Sequence, residues 1–176
     1  MNLFETERLR IKSLEKTDKV HFAELFTDPK VLELIPQKAF TEQQITDRFN
    51  NNLNIALSDI KTQKCAFGIF KKDNPELIGL ALFLKNEDNK EELGYRFRVN
   101  AWGNGYGTET TKGMLNFYFN TLHTEKVTAD VNVANIASVK ILEKFMKCVK
   151  EFFNERDNCT DRRYELEKNN WLQQNQ

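Results

Sequence analysis

Three glycines fall within one five-residue window, Gly103-Asn104-Gly105-Tyr106-Gly107, between a predicted strand and a predicted helix. Glycine permits a positive φ and lets a ligand approach the backbone closely. The free N–H groups at the start of the next helix point outward with the positive end of the helix dipole. The window and the Thr108 that follows it therefore predict an anion site suited to a phosphate or pyrophosphate. The alternative is a plain tight turn between strand and helix.

Neither of the two common nucleotide-binding motifs fits this window. A Walker A loop needs Gly-Lys followed by Ser or Thr, whereas Gly107 precedes Thr108 and Glu109. The dinucleotide fingerprint G-x-G-x-x-G needs glycine at position 108, where this chain has threonine. ATP and NAD are therefore disfavoured as ligands.

The residues around the glycines resemble the GNAT superfamily of N-acetyltransferases. The stretch from Glu92-Leu93-Gly94-Tyr95 to Trp102-Gly103-Asn104-Gly105-Tyr106-Gly107-Thr108-Glu109 is similar to the acetyl-CoA-binding motif ELGY…WGxGYxTE of the RimJ/RimL-like branch. Residues 132–144 are similar to that branch's second motif, N-x-x-N-x-A-S-x-x-x-L-E-K, and residues 6–11 resemble its first strand. The segment Phe145-Met146-Lys147 departs from the usual x-Gly-Phe. The resemblance covers about residues 5–171.

The resemblance implies one α+β (mixed α/β) domain over residues 1–176, with a central, splayed, mostly antiparallel sheet of about six to seven strands and about four helices. It implies acetyl-CoA as co-substrate. The pantetheine arm would lie in the splay like an added strand, the amides of residues 102–108 would hold the pyrophosphate, Asn135 would bond the arm and Ser138 would face the sulfur. The expected cofactor-binding residues are Phe97, Val99, Trp102, Gly103, Asn104, Gly105, Tyr106, Gly107, Thr108, Asn135 and Ser138.

The reaction that the resemblance implies is direct attack of a neutral primary amine on the thioester. Positioning and a backbone donor to the oxyanion would supply much of the rate. Glu92 is the candidate base, and the alternative for it is a solvated strand-edge carboxylate beside Glu91. Ser138 is the candidate acid that protonates the leaving thiolate, or else an ordinary hydroxyl in a first helical turn. Tyr95 and Tyr164 could replace it, although strand tyrosines more often serve in packing.

Several other residues near the expected site are predicted to have structural roles rather than catalytic ones. Glu109 is expected to stabilise a helix N-terminus rather than to act in the chemistry. Neither Cys65 nor Cys148 has a neighbouring base, so a covalent acyl-enzyme is not indicated. Four phenylalanines lie on the helices that would flank the acceptor cleft, and core packing is favoured for them over an apolar acceptor pocket: Phe22, Phe26, Phe40 and Phe49.

The elements that must position these residues follow from the apolar spacing. Residues 9–14 alternate as a strand, a short helix is expected between residues 16 and 26, and Thr41 with Gln44 forms a capping box for a helix of about 16 residues. Two apolar runs on either side of Asp73-Asn74-Pro75 predict a β-hairpin, and a third strand begins at Glu92. A helix (107–122), a strand (126–131), a helix (137–144) and two strands complete the order β-αα-βββ-α-β-α-ββ.

Composition excludes several classes of protein. The chain has 176 residues and balances 26 Lys and Arg against 26 Asp and Glu, so a dedicated nucleic-acid binder is disfavoured. No apolar run approaches the ~20 residues of a membrane span, and the start lacks a signal peptide, so we expect no membrane association and a cytoplasmic location. Two histidines and three cysteines without a C-x-x-C pair predict no metal site.

Two classes of function stay open at this point. The first is an acetyl-CoA-dependent N-acetyltransferase that acts on an amine acceptor, either a peptide N-terminus or a small molecule. The second is a non-catalytic acyl-CoA-binding or scaffolding module on the same fold. A homodimer is suggested by the resemblance alone.

Overall fold

The computed structural model describes residues 1–35 and 37–174, and in these residues eight strands form one sheet. The strands are β1 (Asn2–Glu5), β2 (Leu9–Lys12), β3 (Cys65–Lys71), β4 (Asn74–Lys85), β5 (Glu91–Phe97), β6 (Lys126–Asn132), β7 (Lys147–Asn154) and β8 (Cys159–Glu167). The helices are α1 (Lys19–Thr27), α2 (Pro29–Leu34), α3 (Glu42–Asn50), α4 (Tyr106–Asn116), α5 (Ile136–Leu142) and α6 (Lys168–Gln174).

The sheet is antiparallel except at one junction, between β5 and β6. Its order is β1-β2-β3-β4-β5-β6-β8-β7. The register of β4 with β5 runs from Gly79 opposite Phe97 to Lys85 opposite Glu91. The register of the parallel pair β5–β6 is a single Cα pair in the described residues, Glu92 with Thr128. The sheet therefore splays beyond Glu92, which confirms the predicted splayed α+β fold.

The described residues contain more elements than the sequence predicted, eight strands and six helices instead of six to seven and about four. The additional strand β1 has four residues, which is too short for alternation to reveal. The helix α2 has six residues and starts at Pro29, after Asp28 caps it by accepting a bond from the Lys30 amide. The C-terminal helix α6 buries Trp171.

The predicted 16-residue helix is wrong in length, because α3 ends at Asn50. The capping box at its start is confirmed, with Thr41 and Gln44 bonding reciprocally. Beyond its end, the Asn52 side chain donates to the Arg48 carbonyl at 2.8 Å and accepts from the Ala66 amide at 2.7 Å. Asparagine side chains compete with the helical backbone in this way, so a run of them stops a helix that apolar spacing alone would extend.

The core lies on both faces of the sheet. On one face, α4 packs Met114 and Leu115 against the sheet, and the wider helical turn that follows it, Phe117–Thr121, adds Phe119. On the other face, α1 and α3 cover β3 and β4. Phe22, Phe26 and Phe49 are buried there and Phe40 is partly buried, in agreement with the core interpretation of these rings. No helix in the described part of the chain is long and apolar enough to cross a membrane.

Candidate active site

Two cavities meet at the splay between β5 and β6. The first, of about 340 Å³, lies against the glycine window and is called the glycine end here. The second, of about 680 Å³, lies against Glu92, Asp130 and Asp161 and is called the carboxylate end. The two share their wall at Leu34, Ile35, Tyr95, Arg96, Asn135 and Ser138. They are therefore two ends of one cleft.

The glycine end has the backbone geometry of an anion cradle. Gly103 and Gly105 have φ of 75° and 77°, a region that other residues enter only with strain. Gly105 is the N-cap of α4 without a capping side chain, and the Glu109 amide makes the first helical bond, to the Gly105 carbonyl at 3.2 Å. A Cβ at Gly107 would lie 2.8 Å from Ile141 Cδ1. The amides of residues 106–108 are thus left to a ligand, which fits a pyrophosphate.

A hydrogen-bond network from the turn between β1 and β2 holds this loop in place. The Glu109 carboxylate accepts bonds from the Thr6 hydroxyl at 2.5 Å and from the Arg8 amide and Nε at 2.7 Å each. Arg8 Nη1 also donates to the Asn104 carbonyl at 3.0 Å. Burial raises the pKa of Glu109, but the bonds from Thr6 and Arg8 outweigh it, so the pKa lies below the ordinary value. Glu109 therefore stabilises the loop and the helix start.

Eight of the eleven expected cofactor-binding residues line the glycine end: Phe97, Trp102, Gly103, Gly105, Tyr106, Gly107, Asn135 and Ser138. Val99, Asn104 and Thr108 line neither end. The Asn104 side chain donates to the carbonyls of Ala101 and Trp102, and the Thr108 hydroxyl accepts from Lys144 at 3.4 Å. Only the Thr108 backbone, not its side chain, remains a candidate ligand.

The expected roles of Val99 and of the Trp102 amide do not fit the geometry. Val99 lies in a tight 3-10 turn, Val99–Ala101, and its carbonyl accepts the Trp102 amide at 3.1 Å. The indole Nε1 of Trp102 donates to the Phe97 carbonyl, also at 3.1 Å. The chain leaves the sheet at Phe97, so a strand-like partner has no continuous edge at Val99. Trp102 contributes its ring, which is 38% exposed, to the cavity wall.

Glu92 lies in the interior of the sheet rather than at a strand edge, because β5 runs between β4 and β6. Its side chain is half-buried and lines the carboxylate end. Burial first, and the nearby Asp130 charge second, raise the pKa of Glu92 from 4.5 to about 7. The position of β5 between β4 and β6 does not fit the alternative of a carboxylate at a strand edge. A carboxyl group with this pKa is suited to accept a proton near neutral pH.

Ser138 lies in the first turn of α5, where its amide donates to the Asn135 side chain at 3.1 Å, and it lines both ends of the cleft. Tyr95 also lines both ends, and its buried hydroxyl lies near Ser138 without an aligned hydrogen bond. Burial raises the pKa of the Tyr95 phenol, which keeps it protonated. Tyr164 lines neither end and bonds the Glu143 carboxylate at 3.3 Å. Of the two tyrosines, Tyr95 alone reaches the cleft.

The turn after α5 forms without the glycine that the family usually has there. The Phe145 and Met146 amides both donate to the Leu142 carbonyl, at 3.0 and 2.8 Å. Met146 is buried and Phe145 packs against the core. None of these residues has a positive φ, so the turn does not require glycine.

Sequence reasoning missed the charged side chains of the cleft wall apart from Glu92, among them Arg96 on β5 and Asp130 on β6. Arg96 is buried, and Asp130 accepts two bonds from the buried Arg163, at 2.8 and 2.6 Å. The sequence held no signal for them, because Arg96 and Asp130 each occupy a polar position of an alternating strand, and that pattern predicts a side chain that faces solvent.

Cysteine and metal chemistry have no support in the described residues. Burial raises the pKa of the Cys65 thiol to about 12, so it is not a nucleophile near neutral pH. Cys148 and Cys159 line neither end of the cleft. Within residues 1–35 and 37–174, no group of three or more His, Cys, Asp or Glu side chains could hold a metal ion.

A family model and several known proteins match this chain in sequence. Residues 8–145 match the family model of the acetyltransferase (GNAT) domain. The chain is 28% identical over 145 residues to the uncharacterized N-acetyltransferase p20 of Bacillus licheniformis, a match that covers 81% of this chain and 80% of that protein. It is 27% identical over 153 residues to the uncharacterized N-acetyltransferase YnaD of Bacillus subtilis, and this match covers 82% of this chain and 86% of that protein.

Solved structures share the fold across almost the whole chain. A GNAT-family acetyltransferase from Bacillus anthracis superposes with a TM-score of 0.79 at 22% identity, covering 94% of this chain and 98% of that one. The spermidine N-acetyltransferase of Vibrio cholerae, solved with CoA and spermine, superposes with a TM-score of 0.75 at 16% identity. The superposition covers 93% of this chain and 98% of that one.

Proposed function

Because the chain belongs to the GNAT acetyltransferase family, we propose that it transfers an acetyl group from acetyl-CoA to a primary amine. Within the family we assign it to the RimJ/RimL-like branch, with a protein N-terminal α-amine or a small amine as acceptor. The observation that carries the proposal is the joined cleft. One end offers the free amides at the start of α4, and the other offers the half-buried Glu92 carboxyl.

The residues of the glycine end fit the coenzyme. The amides of residues 106–108 would hold the pyrophosphate, and Asn135 lies in the wall beside the expected pantetheine arm. The arm would enter the splay past Tyr95, where β5 has left β6. When bound, acetyl-CoA supplies the thioester carbonyl that the amine attacks and the thiolate that leaves.

Glu92 takes the proton that the amine loses as its nitrogen bonds to the acetyl carbon. Its pKa of about 7 is close to the value of about 8 for an α-amine, which is lower than about 10.4 for lysine. An α-amine therefore needs less help to reach the neutral, nucleophilic form. As the carbon–sulfur bond breaks, the hydroxyl of Ser138 or Tyr95 gives a proton to the sulfur.

The experiment that tests the proposal is a thiol-release assay with acetyl-CoA against a panel of small amines and N-terminal peptides. We expect acceptor-dependent release and an acetylated product of the correct mass. Calorimetry with CoA measures coenzyme binding separately. Binding of CoA without release above background for any acceptor would instead support the non-catalytic acyl-CoA-binding module. Absence of CoA binding would overturn both.

A further inference from the structure

A buried arginine without an acidic partner lies in the wall shared by the two ends of the cleft. Arg96 is only 8% exposed and donates to the Leu25 carbonyl at 2.8 Å and to the Gln37 side chain at 2.9 Å. Its Nε is buried and has no hydrogen-bond partner. No carboxylate of the described residues lies within 4.0 Å of its nitrogens. A buried guanidinium usually has such a partner.

A second arginine of the carboxylate end lies close to the first. Arg48, on α3, packs against the same Phe26 ring as Arg96, with guanidinium carbons 5.2 and 4.5 Å from the ring centroid. It also has no carboxylate partner in the described residues. Burial first, and the positive charge of Arg48 second, lower the pKa of Arg96 to about 10. The protein thus leaves this pair of like charges without compensation.

Most other cations near this cavity are neutralised. Arg156 pairs with Asp157 and Lys85 pairs with Glu91, both at 2.5 Å. Lys64, in the same wall, has no salt bridge among the described residues, which adds to the unmatched positive charge. Arg48, Arg96 and Lys64 are therefore the unpaired cations of this cavity, and Glu92 and Asp161 are its unpaired carboxyl groups among the described residues.

Arg96 and Glu92 lie on the same face of β5, because side chains four residues apart in a strand point the same way. At about 3.3 Å per residue, their Cα atoms are roughly 13 Å apart. An acceptor in this cavity therefore meets a carboxyl that can take its amine proton and, further along the strand, two arginines.

We propose that Arg96 and Arg48 bind a carboxylate of the acceptor, so that the acceptor is a small amine that also carries a carboxylate. This rests on the proposed acetyltransferase function. Arginine presents a planar fork of donors that matches a carboxylate in two parallel bonds. The ligand would use the unpaired Arg96 donor and remove the repulsion between the two cations. A polyamine would instead bring further positive charge to them.

The first test compares matched acceptors that differ in the carboxylate alone, such as phenylalanine with phenethylamine and alanine with ethylamine. We expect kcat/KM to be at least about tenfold higher for the acid-bearing member, because it alone makes a charge-assisted interaction with the arginines. Equal values, or a preference for the decarboxylated amine or spermidine, would overturn the inference. Preference for O-phosphoethanolamine over both ethanolamine and the amino acids would mean that the arginines bind a phosphate, and it would overturn the proposal of a carboxylate.

Variants locate the effect. Arg48→Gln is at an exposed position, so it should fold, and we expect it to raise KM about tenfold for the amino acid while KM for its matched amine stays unchanged. Lys61→Gln removes an exposed cation outside both cavities and serves as the control. Arg96→Lys keeps the charge but loses the fork, and it should raise the same KM. A uniform fall in kcat for acids and amines alike would mean that Arg96 only ties α1 to β5.

A binding measurement separates this inference from the proposed function. Calorimetry on the CoA-loaded protein compares N-acetylphenylalanine with N-acetylphenethylamine and requires no turnover. If the wild type binds N-acetylphenylalanine more tightly and Arg48→Gln does not, the arginine site is supported. Failure to acetylate any acceptor would then count against the acetyltransferase proposal alone. Equal binding of the two products would refute the site, whatever the assay of activity shows.

Discussion

The two ends of the cleft are built in different ways. The glycine end consists of backbone amides from one short stretch, and its side chains mainly hold the loop in place. The carboxylate end consists largely of charged side chains from α3, from strands β4, β5, β6 and β8, and from the adjoining turns. A backbone site tolerates most side-chain changes except those at its glycines. A side-chain site depends on individual charges and on how deeply each is buried.

The largest effect should come from the carboxylate end, at Glu92. If Glu92 is the base, Glu92→Gln should lower kcat/KM by about 10²–10⁴ while the Kd for CoA stays the same. In the wild type, kcat/KM should rise with pH up to about 7 as this carboxyl ionises, and steady-state kinetics across pH 5–9 would show it. Glu91→Gln is the control, because Glu91 pairs with Lys85 and lines neither end. An unchanged pH profile in Glu92→Gln would assign the base elsewhere.

The next effect should come from the glycine end. Gly105→Val places a β-branched residue at a φ of 77°, where an L side chain costs about 1–3 kcal/mol, and it displaces the amides of the cradle. We expect the Kd for CoA to rise about 100-fold in calorimetry. His123→Val imposes a similar strain at a φ of 53° outside both cavities, so it should lower Tm and leave the Kd unchanged. Equal loss of CoA binding in both variants would mean that strain alone is responsible.

A stability measurement distinguishes a functional carboxyl from a structural one. Burial raises the folded pKa of Glu92 to about 7, so the folded state holds its proton more tightly than the unfolded chain does, and stability falls as pH rises from about 4.5 to 7. Glu92→Gln removes this penalty and should raise the free energy of unfolding at pH 8 by about 1–2 kcal/mol. Urea unfolding at pH 4.5 should show almost no difference. A variant less stable than the wild type at pH 8 would contradict the burial argument.

The smallest effect should come from the wall that the two ends share. A thiolate is a good leaving group, so loss of its proton donor should lower kcat by less than the roughly 10²–10⁴-fold typical of general acid–base catalysis, with little change in either KM. We expect this result for Tyr95→Phe or Ser138→Ala, and the larger of the two losses identifies the donor. Tyr164→Phe is the control, because Tyr164 bonds Glu143 outside the cleft and should change Tm alone. Full kcat in both cleft variants would leave water as the donor.

The glycine end was largely predictable from the sequence. The glycines and the helix that follows them appear where the motif placed them, whereas the sheet already splays beyond Glu92, near the start of the strand after which the splay was expected. The exceptions are Val99 and the Trp102 amide, which a tight turn withdraws from the site. Asn100 is a residue type that is common in turns, but a single asparagine does not show that a turn closes on the Trp102 amide.

The carboxylate end was predictable at Glu92 and Ser138 as lining residues, but not in its charges. Arg48 and Arg96 are 48 residues apart in the chain and meet at Phe26, which is on a third element. No spacing rule relates three elements that are separated by loops. The elevated pKa of Glu92 also depends on Asp130, which the parallel approach of β6 brings near.

The sequence by itself determined the order of most elements, the glycine-rich loop and the candidate base, because each depends on contiguous residues whose backbone preferences are local. The tertiary structure alone decided which charges share a cavity, which are neutralised and which stay unmatched. Burial and Coulomb interactions depend on distances between residues far apart in the chain, and only the packed sheet sets those distances.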